Sequence, residues 1–159
     1  MPGINLILEN SKFVRGYTYL RQAFIEIPEF TGLSYVISGY EITGWTDAPV
    51  DRSSPLFISG SDLLARLSCH PHEPQFIWAV LSGFLPGQVP EITCLPNPDG
   101  NPRYWQSPLD PEIPGATLEI VAWDSSCTLF IGLSMAVAQK LSKLYPDIRN
   151  LDLMNTERA

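Results

Sequence analysis

The chain's 159 residues are 45% apolar and 17% charged, with a net charge of −7 at neutral pH. A chain of that size and composition folds as one globular domain with a sizeable core, which excludes intrinsic disorder. The negative sign excludes phosphate backbones and anionic lipid as partners, and it steers basic proteins or small cations toward the surface. The charge is unevenly spread, because thirteen Asp and Glu between Gln22 and Gln139 stand against only Arg52, Arg66 and Arg103. Both ends lean basic, with Lys12, Arg15, Arg21, Lys140, Lys143, Arg149 and Arg158 against Glu9, Asp147, Asp152 and Glu157.

No run approaches the roughly 20 consecutive apolar residues of a membrane helix. Met1 to Leu8 meets Glu9 and Asn10 before it could form the apolar stretch of a signal peptide, so the sequence reads as cytoplasmic. Cys69, Cys94 and Cys127 are an odd, widely spaced set that fits reduced thiols better than a disulfide framework.

Ile4 to Leu8 reads as a first strand. Phe13, Tyr17, Leu20 and Phe24 then recur at helical spacing, which predicts a helix ending before Pro28. Ser34 to Ile37 and Tyr40 to Trp45 are β-rich runs separated by Ser38-Gly39, so a hairpin is expected there. After the turn-rich stretch Thr46 to Pro55, Leu56-Phe57-Ile58 reads as a short strand. Ser59 or Ser61 then caps a helix through Leu63, Leu64 and Leu67, which stops near Cys69 ahead of Pro71 and Pro74. Gln75 to Phe84 is nearly continuously apolar, as a central strand covered on both faces would be.

Eight of the 29 residues from Pro86 to Pro114 are proline, which predicts a long loop with few backbone donors. Tyr104 and Trp105 sit inside it, either packing back as an anchor or presented to a partner; anchoring is the favoured reading. From Thr117 the pattern is regular again: two strands around Asp124-Ser125-Ser126, then a helix capped by Ser134. The buried stripe of that helix is Leu133, Val137, Leu141, Leu144 and Tyr145, and Pro146 ends it. Residues 152–159 are expected to be a partly frayed tail. Paired hairpins need antiparallel neighbours. The expected fold is therefore a single α+β domain over residues 1–159, its largely antiparallel sheet carrying two or three helices mainly on one face.

The run from Glu119 to Ile131, followed by a helix, Leu144-Tyr145-Pro146-Asp147 and Asn150-Leu151, resembles the closing hairpin and helix of small uncharacterised bacterial α+β proteins. Some of those look like immunity proteins paired with secreted toxins. The resemblance spans residues 117–151, carries over no catalytic residue, and implies a bacterial cytosolic protein that binds rather than catalyses.

Chemistry-bearing patterns are sparse. Cys69-His70-Pro71-His72-Glu73 holds metal-capable residues without paired ligand spacing, so no metal site is assigned. A cysteine hydrolase would pair Cys94 or Cys127 with His70 or His72, yet Cys127 stands at a strand start among acids, which disfavours its thiolate. Phosphate-binding glycine loops, nucleophile elbows and His-Glu-x-x-His helices are missing from the sequence, and no cofactor is implied.

The sequence thus points to a protein-binding module with a basic protein partner, an immunity protein being the specific form. A small cysteine- or carboxylate-dependent hydrolase or transferase is the first alternative and a self-associating homodimer the second. Trp45, Asp47 and Asp51 on one loop, with Asp99, Tyr104, Trp105 and Asp110 on the other, are the expected contact residues, combining aromatic anchors with acidic steering.

Overall fold

A computed structural model describes residues 3–9, 11–13, 18–45, 53–68 and 72–159. Its elements in chain order are β1 (Ile4–Leu8), α1 (Arg21–Glu26), α2 (Pro28–Thr31), β2 (Ser34–Thr43), β3 (Leu56–Ser59), α3 (Gly60–Ser68) and β4 (Gln75–Phe84). A 3-10 helix (Pro102–Trp105), β5 (Leu118–Trp123), β6 (Cys127–Leu133), α4 (Met135–Leu144), β7 (Arg149–Asn150) and α5 (Leu151–Arg158) follow. The strands form one sheet in the order β3-β2-β4-β5-β6-β1-β7, and every neighbouring pair is antiparallel. This is an α+β domain with an antiparallel sheet, the expected fold class.

Side-chain alternation divides the sheet into two buried faces. Leu6, Leu8, Tyr35, Ile37, Ala79, Leu81, Ile120 and Phe130 pack against Phe24, Phe30, Leu63, Leu67, Val137 and Leu141 from α1 to α4. Ile7, Val80, Val121, Leu129 and Ile131 point the other way and meet Tyr104 and Leu109 of the proline-rich loop with Leu151 and Met154 of α5. Both faces being covered explains why β4 and β5 read as almost unbroken apolar runs. Ser59 Oγ accepts from the Asp62 amide at 3.1 Å and Ser134 Oγ from the Val137 amide at 3.2 Å, so both helix starts carry the hydroxyl caps read from the sequence.

Three local expectations differ from the structure. First, α1 has six residues and begins at Arg21, while Phe13 is 49% exposed. Tyr17, the next residue of that supposed stripe, lies outside the described residues. The helix does end before Pro28, at Glu26, and Pro28 then opens α2 at its first position, where its missing N–H belongs to a group that has no intrahelical partner anyway.

Second, Ser38-Gly39 is not a turn. β2 runs straight through it, and the register advances from Ser38 opposite Val80 to Glu41 opposite Trp78, which inserts one extra residue. Gly39 takes that bulge at φ +55°. A Cβ there would stand 2.7 Å from Pro98 Cδ, so the position needs glycine twice over.

Third, the supposed tail is the helix α5. Asn150 caps it by accepting from the Leu153 amide at 2.9 Å, and Leu151, Met154 and Asn155 are buried.

Candidate functional site

The two ends of the sheet are unlike. β7 has two residues, passes directly into α5, and has Arg149 paired with Glu9, so that edge is short and charged. β3 at the other end is Leu56-Phe57-Ile58-Ser59, with no charge, no proline and an uninterrupted register to β2. None of the devices that usually blunt a sheet edge, other than shortness, is present in it. The Gly60 amide donates to Leu33 O at 2.7 Å, which extends the β2 ladder by one pair. Alternation then directs the backbone groups of Ile58 and Leu56 toward β2 and those of Phe57 and Ser59 outward.

Beside this edge lies a groove of about 270 Å³ lined by Ser34, Val36, Phe57, Ser59, Phe84 and Pro90, among others. Its far wall is preformed. Leu85-Pro86-Gly87-Gln88 is a turn closed by Gln88 N to Leu85 O at 3.1 Å with Gly87 at φ +84°, the type II geometry that proline followed by glycine favours. Gln88 Nε2 ties the turn to Gly115 O at 3.0 Å. Phe57 in the groove lining is 67% exposed, and Leu85 and Val89, next in sequence to the lining residues Phe84, Gln88 and Pro90, are 59% and 89% exposed. Exposed Asp62 comes shortly after the lining residue Ser59 in sequence and exposed Glu91 directly after Pro90, and none of the described lining residues is basic.

The residues expected to contact a partner do not come together. Trp45 is buried on the helical face, edge-on to Phe76 at 6.4 Å with the Arg66 guanidinium 5.7 Å from its ring. Tyr104 is fully buried on the opposite face, so the loop aromatic is an anchor and its ring is not offered outward. Trp105 is half-buried, edge-on to Trp123 at 5.0 Å with Arg158 at 5.3 Å from its ring centre. Asp99 and Asp110 are exposed on the proline-rich loop. Asp47 and Asp51 lie outside the described residues. Trp45 and Tyr104 therefore belong to separate cores, because large rings on a two-faced sheet are worth more as packing than as surface.

The loop itself is pinned by polar contacts. Ser38 Oγ donates to Pro96 O at 2.7 Å, Asn155 Nδ2 to Tyr104 O at 3.1 Å, and Asn5 Nδ2 to Leu109 O at 3.1 Å. Deepest is Glu119 on β5, with no exposed side-chain surface: its carboxylate accepts from the Glu112 amide at 2.9 Å and stands 3.4 Å from the Arg103 guanidinium. Burial raises its proton affinity above the ordinary carboxylate level, against the lowering effect of the Glu112 amide and Arg103. Both oxygens are occupied by the loop, so this perturbed carboxyl fastens structure; it does not face substrate.

The nucleophile candidates separate as well. Cys127 is buried and its thiol is pushed up to about 12, mainly by burial, which denies it thiolate character. Cys94 is exposed. Cys69 and His70 lie outside the described residues, and His72 is exposed. Among the described residues, no group of three His, Cys, Asp or Glu could hold a metal ion. Among them too, no helix is long and apolar enough to cross a membrane. Of the basic residues at the chain ends, Lys140 reaches Glu29 at 2.7 Å, which neutralises one carboxylate of the acidic middle.

Sequence reasoning passed over Phe57, Leu85 and Val89. The available signal was a strand without a polar alternate, followed thirty residues later by two apolar residues flanking a proline-glycine turn. Compared with protein-family models, with curated proteins and with solved structures, the chain finds no match.

Proposed function

We propose that this chain is a protein-binding module that takes a basic protein partner, in the manner of an immunity protein that neutralises a toxin by covering it. The supporting observation is the apolar groove beside β3, with Phe57 exposed in its lining, Leu85 and Val89 exposed next to lining residues, and exposed Asp62 and Glu91 close to the lining in sequence. Desolvating such a group gives affinity, while a chain of net charge −7 selects a cationic surface and speeds the encounter. The cysteine-dependent alternative loses its buried candidate, because Cys127 is a poor nucleophile.

The test is site-specific photo-crosslinking in cells of the source organism, with a benzophenone side chain at position 57 and, as a control, at Leu153, which is 64% exposed on α5. Position 57 should yield an adduct with one basic protein, and the purified pair should bind more weakly after Asp62→Lys with Glu91→Lys. Adducts no more frequent from position 57 than from position 153 would remove the reading.

A further inference from the structure

We infer that the β3 edge receives an extended basic segment of the partner by strand addition, extending the sheet by one antiparallel or parallel strand. This rests on the protein-binding reading and specifies its mode. The geometry supplies each part that such recognition uses. Among the described residues, β3 is hydrogen-bonded on one side only, and the outward backbone groups are those of Phe57 and Ser59. The same two residues point their side chains to the groove face, since they pair with Val36 and Ser34, which line it. An added strand would therefore lay every second side chain against Phe57 on the groove face, which Phe84 and Pro90 also line, while its intervening side chains faced away.

The occupant is chosen by charge. Asp62 lies in the first turn of the helix that follows β3, Glu91 follows the lining residue Pro90, and the described lining residues offer no positive charge. Lysine or arginine at the ends of an apolar, alternating segment matches that frame. A second copy of this chain does not, because its own edge would bring carboxylates against carboxylates.

The experiment selects a displayed library of random nonapeptides against the full chain, with the Phe57→Pro variant as counter-target. Proline at position 57 removes an amide that points outward and leaves the β2 hydrogen bonds intact, so the variant should retain its fold and circular dichroism. Enriched peptides should alternate apolar residues and carry Lys or Arg. Their affinity should fall about tenfold for each N-methylated amide on the edge-facing side, and by a similar factor for Phe57→Pro.

N-methylation is read on the unaltered protein, so the test survives a misfolded variant. Three results would overturn the inference: no enrichment over the counter-target, enriched peptides indifferent to N-methylation, or a chain that sediments at about 0.1 M salt as a dimer dissociated by Phe57→Pro. A crosslinked basic partner whose binding ignores Phe57→Pro would sink the strand mode alone and leave the binding function standing.

Discussion

Replacing Arg103 by Met should destabilise the fold by an amount that depends on pH, because the arginine's chief role is to neutralise a buried carboxylate. Glu119 has no exposed side-chain surface, and the Arg103 guanidinium 3.4 Å away is 28% exposed. Removing one member of a wholly buried pair costs about 3–5 kcal/mol. The longer distance and partial exposure put this pair below that range, at about 2–3 kcal/mol at neutral pH.

Glu119's folded proton affinity is already raised, so whatever it contributes is present below the ordinary carboxyl value and is lost as pH rises through the folded one. Arg103 limits that loss. Without it, the folded state holds its proton more tightly still, and the penalty grows with pH. Near pH 4 the carboxyl is largely neutral in both states, and only the hydrogen bonds of Arg103, including the one to Asp110 O, are missing, about 1 kcal/mol.

Urea unfolding of the variant and its parent at about pH 4 and about pH 7.5 should therefore show a difference wider by about 1–2 kcal/mol at the higher pH. Glu29 and Asp147, whose lowered values lose stability as pH falls, are common to both proteins and cancel. In a Glu119→Gln background the pH dependence of the difference should vanish. Equal differences at both pH values with Glu119 in place would refute the argument.

Two further outcomes follow from single residues. Cys127, buried and with its thiol pushed up to about 12, should resist aromatic disulfide reagents in the folded protein and react only on unfolding, whereas exposed Cys94 labels at once; comparable rates would reopen the nucleophile reading. Asp124 and Ser125 both sit at positive φ, 47° and 56°, in the turn joining β5 to β6, so Ser125→Gly should stabilise the protein by about 1 kcal/mol, read as a higher midpoint in thermal unfolding.

Where periodicity and punctuation agreed, the sequence was sufficient. Ile4–Leu8, Gln75–Phe84 and the caps at Ser59 and Ser134 are local patterns with local causes, and the structure contains them as read. Ser38-Gly39 failed for a tertiary reason. A serine-glycine pair between two β-rich runs is chemically a hairpin turn, and only the uninterrupted ten-residue β4 alongside, with Pro98 and Asn97 pressed onto Gly39, makes it a bulge. Trp45 is buried where a contact was expected, and Tyr104 is the anchor its favoured reading made it: aromatic residues beside acids on loops suggest a contact surface, but sequence does not say which loops are folded over a sheet face. For Phe57 the local signal, a short strand of apolar residues, could not show exposure, which depends on β3 being last in strand order, a property of the whole topology.

That topology also raises the question of what keeps β3 from pairing with itself. An edge of Leu56-Phe57-Ile58-Ser59 has no lysine or proline to refuse another copy, so discrimination falls to charge, and a net −7 repels a second chain while attracting a cationic one. The balance is consequently sensitive to ionic strength. Screening shortens from about 10 Å at 0.1 M salt to about 3 Å at 1 M, while apolar contacts at Phe57 and Val89 keep their strength. Sedimentation velocity should then show the chain monomeric in dilute salt and weakly self-associating in concentrated sodium chloride, with Phe57→Pro monomeric in both. Partner affinity should move the opposite way, falling as salt rises. Self-association that salt leaves unchanged, or that Phe57→Pro does not suppress, would mean that charge is not what guards this edge.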